Sequence, residues 1–149
     1  MDRSDEKGLG VGMDAGPALV SIMRQGSTLI ASIHTALDDT ELVRFEHDLI
    51  EKIGEYRSPG VIIDVAALDV IDSFAALTLR RIAEMARLRG ALTVIVGIQP
   101  EVAFTMVQLG MGTGDVPTAL DLDEGLLLLA DQGRARETPG PSSSGGSTP

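Results

Sequence analysis

Cysteine and tryptophan are absent from this 149-residue chain, and other aromatic side chains are scarce, with three Phe and one Tyr. Without cysteine there is neither a disulfide framework nor a thiolate metal site, a composition that suits a reducing cytosol. With so few rings the core has to be built from aliphatic side chains and Ala. That fits helices layered on a sheet and leaves no stacking platform for bases. Positive charge is also short: 12 Lys and Arg against 22 Asp and Glu give a formal net charge of −10. Attraction to a phosphate backbone is missing at the level of the whole chain, so nucleic acid is not an expected partner. No apolar run approaches the roughly 20 residues that a membrane span requires. The opening residues, Met1 to Lys7, lack the apolar centre of a signal peptide. The expectation is a soluble, cytoplasmic protein without a membrane partner.

What is present suffices for one well-buried domain, since 44% of the residues are hydrophobic and 23% charged. The polar, Gly-rich residues 1–16 read as a flexible extension and residues 17–132 as the domain. Residues 133–149, rich in Pro, Gly and Ser, cannot bury enough apolar surface to order themselves and read as a disordered tail. Two β-like runs, Pro17 to Arg24 and Ser27 to His34, flank Gln25-Gly26 and predict a hairpin. Asp38 with Glu41 three residues on, followed by Leu42, Phe45, Leu49 and Ile53, predicts a capped helix to about Tyr56. Ser58-Pro59-Gly60 breaks it before the buried strand Val61 to Val65.

A second helix is predicted from about Ser73 to Leu88, with Ala75, Leu79, Ile82 and Ala86 toward the core and Arg80, Arg81, Glu84 and Arg87 largely elsewhere. Gly90 closes it before the strand Ala91 to Val96. A third helix follows Pro100 and is closed by Gly110, and a short extended segment lies near Val116-Pro117. A last helix begins at Asp121 and carries Leu122, Leu126 and Leu129. This order predicts an α/β fold: a mixed sheet of four to five strands, parallel at its centre, with helical crossovers and about four helices.

Chemistry gathers at Asp72-Ser73, where the second helix departs. Serine is a favoured capping residue, and the unpaired amides of a first turn favour negative charge, so a phosphate on that oxygen would meet the same donors. The arginines of the second helix form a basic face on an acidic domain, either a contact surface or a solvated outer face. His34 and His47 stand without a second His or a carboxylate at a distinctive ligand spacing, and no metal is expected. Gly110 to Gly114 follows a helix and lacks the Gly-Lys-Ser/Thr ending of a phosphate loop, so it reads as a connection. Asp64 and Asp69 join no nucleophile and base, and no enzymatic activity is expected.

Ile71-Asp72-Ser73-Phe74, taken with Gly97-Ile98-Gln99-Pro100-Glu101-Val102-Ala103 and Leu109-Gly110, resembles the motifs of the STAS-domain family, which includes bacterial anti-anti-sigma factors. The resemblance runs from about Pro17 to Asp131 and is narrower to the single-domain, RsbS-type branch of the stressosome. Most anti-anti-sigma factors follow the acceptor with a small residue and Gly, whereas this chain has Phe74-Ala75. Sensor relatives usually carry Thr at the acceptor and a separate N-terminal domain, whereas this chain has Ser73 and, at 149 residues, is expected to have no room for such a domain.

The resemblance implies a regulatory phosphoacceptor at Ser73, with Thr105 at the position of a second acceptor in the sensor relatives. Asp72, Phe74, Arg80 and Arg81 become candidates for binding a partner or shaping the site. The implied partners are an RsbT-type serine kinase, RsbR-type sensor paralogues in a homo- and hetero-oligomer, and an RsbX-type phosphatase, with no cofactor. An anti-anti-sigma factor that binds an anti-sigma kinase directly is the first alternative. A module binding a nucleotide or anion at the start of the second helix is the other.

Overall fold

The computed structural model describes residues 18–108 and 116–137. The expected extension at 1–16, the connection at Gly110 to Gly114 and the tail beyond Glu137 lie outside the described residues. Strands β1 (Val20–Gln25) and β2 (Thr28–Ile33) form the hairpin, pairing antiparallel from Val20 against Ile33 to Gln25 against Thr28. Its two-residue turn places Gly26 at φ 62°, a left-handed position that glycine occupies without the Cβ clash. Helix α1 (Asp39–Tyr56) leads to β3 (Gly60–Asp64), α2 (Ser73–Leu88) to β4 (Leu92–Val96), and α3 (Pro100–Gln108) to β5 (Thr118–Ala119). Helix α4 (Leu122–Glu137) closes the described chain.

The five strands lie in the order β1-β2-β3-β4-β5, with every pair after the hairpin parallel. Period-two alternation divides the strands between two cores. Leu29, Ala31, Ile33, Val61, Ile63, Val65 and Ile95 pack with buried residues of α1, α2 and α3. Ile30, Ile62, Val94 and Val96 face the other way, toward Leu122, Leu126, Leu128 and Leu129 of α4. Among the described residues three helices therefore cover one face and a single helix the other. The predicted α/β layering, with a mixed sheet and four helices, is what the chain adopts. Among the described residues no helix is long and apolar enough to cross a membrane.

The start of α1 is as the sequence dictates. Asp38 accepts from the Glu41 amide at 2.7 Å, and Glu41 Oε1 accepts from the Asp38 amide at 2.8 Å, a reciprocal capping box. At its other end Arg57 takes the left-handed conformation and the Ser58 amide donates to the Ile53 carbonyl at 3.2 Å. Two boundaries differ from expectation. The short strand forms at Thr118–Ala119, past Pro117, whose missing N–H cannot join a ladder. Helix α4 runs through Glu137, five residues beyond the boundary expected at Gln132. Arg134, Ala135, Arg136 and Glu137 are good helix formers that outweigh the cost of Gly133, and continuation is opposed only at Thr138-Pro139.

Candidate functional site

Parallel strands point their C-terminal ends to one end of the domain, and both sequence motifs lie in the loops that leave it. The first is the β3–α2 loop ending at Asp72-Ser73, and the second is the β4–α3 loop, Gly97 to Gln99. Since β3 and β4 are adjacent, motifs separated by about 25 residues in the chain become neighbours. Their contact is direct. Gln99 Nε2 donates to the Ala66 carbonyl at 2.7 Å, and Gly97, at φ 80°, lies so close to Ala66 that an added Cβ would come within 2.8 Å of the Ala66 methyl.

The expectation that Ser73 caps α2 is corrected by the geometry. Asp72 is the N-cap: its backbone is extended at φ −97° and ψ 176°, and its Oδ1 accepts from the Ala75 amide at 2.8 Å. Asp72 takes the task because it is the extended residue immediately before the helix, while Ser73 already lies within the first turn. Ser73 becomes the first helical residue, exposed, with its hydroxyl outside the cap. The amides of Ser73 and Phe74 belong to the first turn, where a helix offers no internal acceptor.

The remaining candidates separate. Phe74 is half-buried, and its carbonyl accepts from the buried Thr78 hydroxyl at 2.8 Å, so it anchors the first turn. Arg80 is exposed two turns along the same face of α2 as Ser73, about 10 Å on by helical rise. Arg81 points elsewhere: its Nη2 donates to Glu46 Oε1 of α1 at 2.6 Å, which makes it a strut between helices. Thr105 on α3 is half-buried, and its hydroxyl bonds back to the Glu101 carbonyl at 3.0 Å. Ser73 thus heads an exposed stripe with Leu77, Arg80, Glu84 and Arg87, in which Leu77 is 42% exposed. Beneath the loop a small cavity of about 110 Å³ is lined by Leu37, Leu68, Val70, Ile71 and Asp72 among others.

Sequence reasoning assigned no role to Leu77, Ala66 or Gln99. The signal for Gln99 was its place in the second motif, but its partner is 33 residues earlier. One reading of the histidines is corrected too. Ligand atoms of His47, Asp48 and Glu51 lie within 4.8 Å of one another on α1, because Glu51 is four residues from His47 and three from Asp48, the spacings that meet on a helix surface. They are solvated side chains, and no metal is assigned to them. His34 Nε2 lies 3.0 Å from Ser21 Oγ across the hairpin.

The STAS domain matches residues 20–124. This chain belongs to the STAS domain family. The resemblance to the family is borne out, and relatives at 30% identity or more include RsbR- and RsbS-type proteins and a stressosome component. RsbT co-antagonist protein RsbRA of Bacillus subtilis is 32% identical over 90 residues, covering 60% of this chain and 33% of that protein. The chain therefore spans about a third of the length of that curated relative. A serine-to-glutamate variant of Moorella thermoacetica RsbS superposes with a TM-score of 0.71 at 32% identity, over 78% of this chain and 99% of that one. A chain of a structure describing the molecular architecture of the stressosome matches with a TM-score of 0.65 at 30% identity, over 76% of this chain and 99% of its own.

Proposed function

We propose that this STAS domain is a phosphorylation-controlled interaction switch in bacterial stress signalling, which holds an RsbT-type serine kinase and releases it when Ser73 is phosphorylated. The observation that carries the reading is the exposed Ser73 hydroxyl at the first position of α2, relieved of capping by Asp72. Similarity to RsbS over nearly that protein's whole length, and to a protein named for antagonising RsbT, supports the choice of kinase. In this reading the domain assembles with RsbR-type paralogues into a stressosome-like oligomer in the cytoplasm, an RsbX-type phosphatase resets it, and the chain itself is not an enzyme. Thr105 is at most a second acceptor, since its hydroxyl is engaged with the Glu101 carbonyl.

A phosphate on Ser73 adds roughly −1.5 to −2 charges at neutral pH, beside first-turn amides that favour it and the Asp72 carboxylate that opposes it. The helix-dipole contribution is about 0.3–1 kcal/mol at an exposed position, so the fold changes little. The effect falls on the partner. A dianion in a contact surface has to be desolvated, and losing ~3 kcal/mol of binding weakens a complex by roughly a hundredfold. The test is to incubate the protein with the kinase and ATP, map the phosphate by mass spectrometry, and measure kinase binding to Ser73→Ala and Ser73→Asp. The expected result is phosphate on Ser73, retained binding by Ser73→Ala and partial release by Ser73→Asp. Phosphate at another residue, or equal binding by wild type and both variants, rules the mechanism out.

A further inference from the structure

We propose that Gln99 is a positioning residue for the phosphoacceptor: acting through Ala66, it holds the loop from Val65 to Asp72 in the shape that the kinase engages. This role rests on the switch reading above. Ala66 is gripped by three different groups. Its amide donates to Asp64 Oδ1 at 2.9 Å, and its carbonyl accepts from Gln99 Nε2 at 2.7 Å. Its methyl occupies the space that a side chain at Gly97 would need. Gln99 also anchors the next element, since its own carbonyl accepts from the Ala103 amide at 2.9 Å at the start of α3. One residue therefore ties α3 to the loop that delivers Ser73.

The loop is otherwise held by the buried side chains of Val65, Leu68 and Ile71 and by the bond from the Leu68 amide to the Val65 carbonyl at 3.0 Å. That leaves the stretch around Ala66 to the Asp64 and Gln99 ties. Leu68 and Ile71 are buried, but Ala66, Ala67, Asp69 and Val70 are exposed, Val70 to 71%. Exposed stretches between buried anchors open locally at lower cost than the core, and removing a bond to the Ala66 carbonyl enlarges the open population. A kinase that needs the closed loop then sees its apparent affinity reduced by the closed fraction, while phosphoryl transfer inside the complex keeps its rate. Gln99 accordingly acts on KM for this protein as the kinase's substrate and leaves kcat alone.

Gln99→Glu keeps the side chain's length but replaces the donor with a carboxylate, and Gln99→Lys restores a donor. With the full chain, two quantities are measured: amide hydrogen exchange across 65–73 in the unphosphorylated protein, and steady-state phosphorylation of Ser73 by the RsbT-type kinase with ATP. In Gln99→Glu the exchange rate and KM should both rise, the product of the two increases being about threefold to tenfold, the size expected for one lost hydrogen bond, with kcat unchanged. Gln99→Lys should recover both. Ser58→Ala, which loosens the fold at the opposite end of β3, should leave KM unchanged and so separates positioning from general destabilisation. A wild type phosphorylated at Ser73 beside a Gln99→Glu variant of equal KM overturns this role alone. A wild type that the kinase does not phosphorylate at Ser73 overturns the switch reading and this role with it.

Discussion

Asp72 Oδ1 accepts from the Ala75 amide at 2.8 Å, and this one bond takes the capping of α2 away from the serine that follows it. The acid caps, and the hydroxyl is left available for modification. Asp72→Ala should destabilise the domain by about 0.5–2 kcal/mol in urea or thermal unfolding, whereas Asp72→Asn should retain most of the stability because asparagine caps nearly as well. Equal losses in the two variants would mean that the charge, and not the cap geometry, is what counts.

Ser58 joins the connection before β3 to the hairpin turn. Its side chain is buried at 2% exposure, with Oγ 2.6 Å from the Ser27 carbonyl and 2.7 Å from that of Gly60. Ser58→Ala removes the single hydroxyl proton that these two carbonyls share and should cost about 1–3 kcal/mol of unfolding free energy. Chemical denaturation of the variant checks this, and a loss inside experimental error would show that water replaces the hydroxyl.

Two glycines of α4 should answer the same substitution with opposite signs. A Cβ at Gly125 would meet Val96 Cγ1 at 2.8 Å and Ile62 Cδ1 at 3.3 Å, where the helix presses on the sheet, while one at Gly133 would meet nothing within 4 Å. Gly125→Ala should lower stability, its overpacking cost of about 1–3 kcal/mol exceeding the gain in helix propensity. Gly133→Ala should raise it by about 0.5–1 kcal/mol. Thermal melts of both variants against wild type read the signs directly.

Because α4 continues through Glu137, the position of a C-terminal truncation matters. Removing residues 138–149, which offer no apolar side chain to dock, should leave the melting temperature unchanged. Removing 133–149 also takes away the last turn of the helix and should lower it. Identical melting temperatures for the two truncations would show that this turn contributes nothing to stability.

Local pattern determined much of this protein. Asp38 and Glu41 specify the start of α1 through bonds within four residues, the strands Val61 to Val65 and Ala91 to Val96 are written as buried β-branched runs, and Ser73 stands out at the head of a helix. Such features are legible because the physics that causes them acts over one or two turns. Tertiary structure decided what depends on distant partners. Whether Asp72 or Ser73 caps α2 turned on a backbone conformation set by the loop's packing. Arg81 became a strut because Glu46 lies on a neighbouring helix, and Gln99 reached Ala66 because β3 and β4 are adjacent and parallel. A bond between groups 33 or 35 positions apart leaves no periodic trace along the chain, and only the sheet order brings its two ends together.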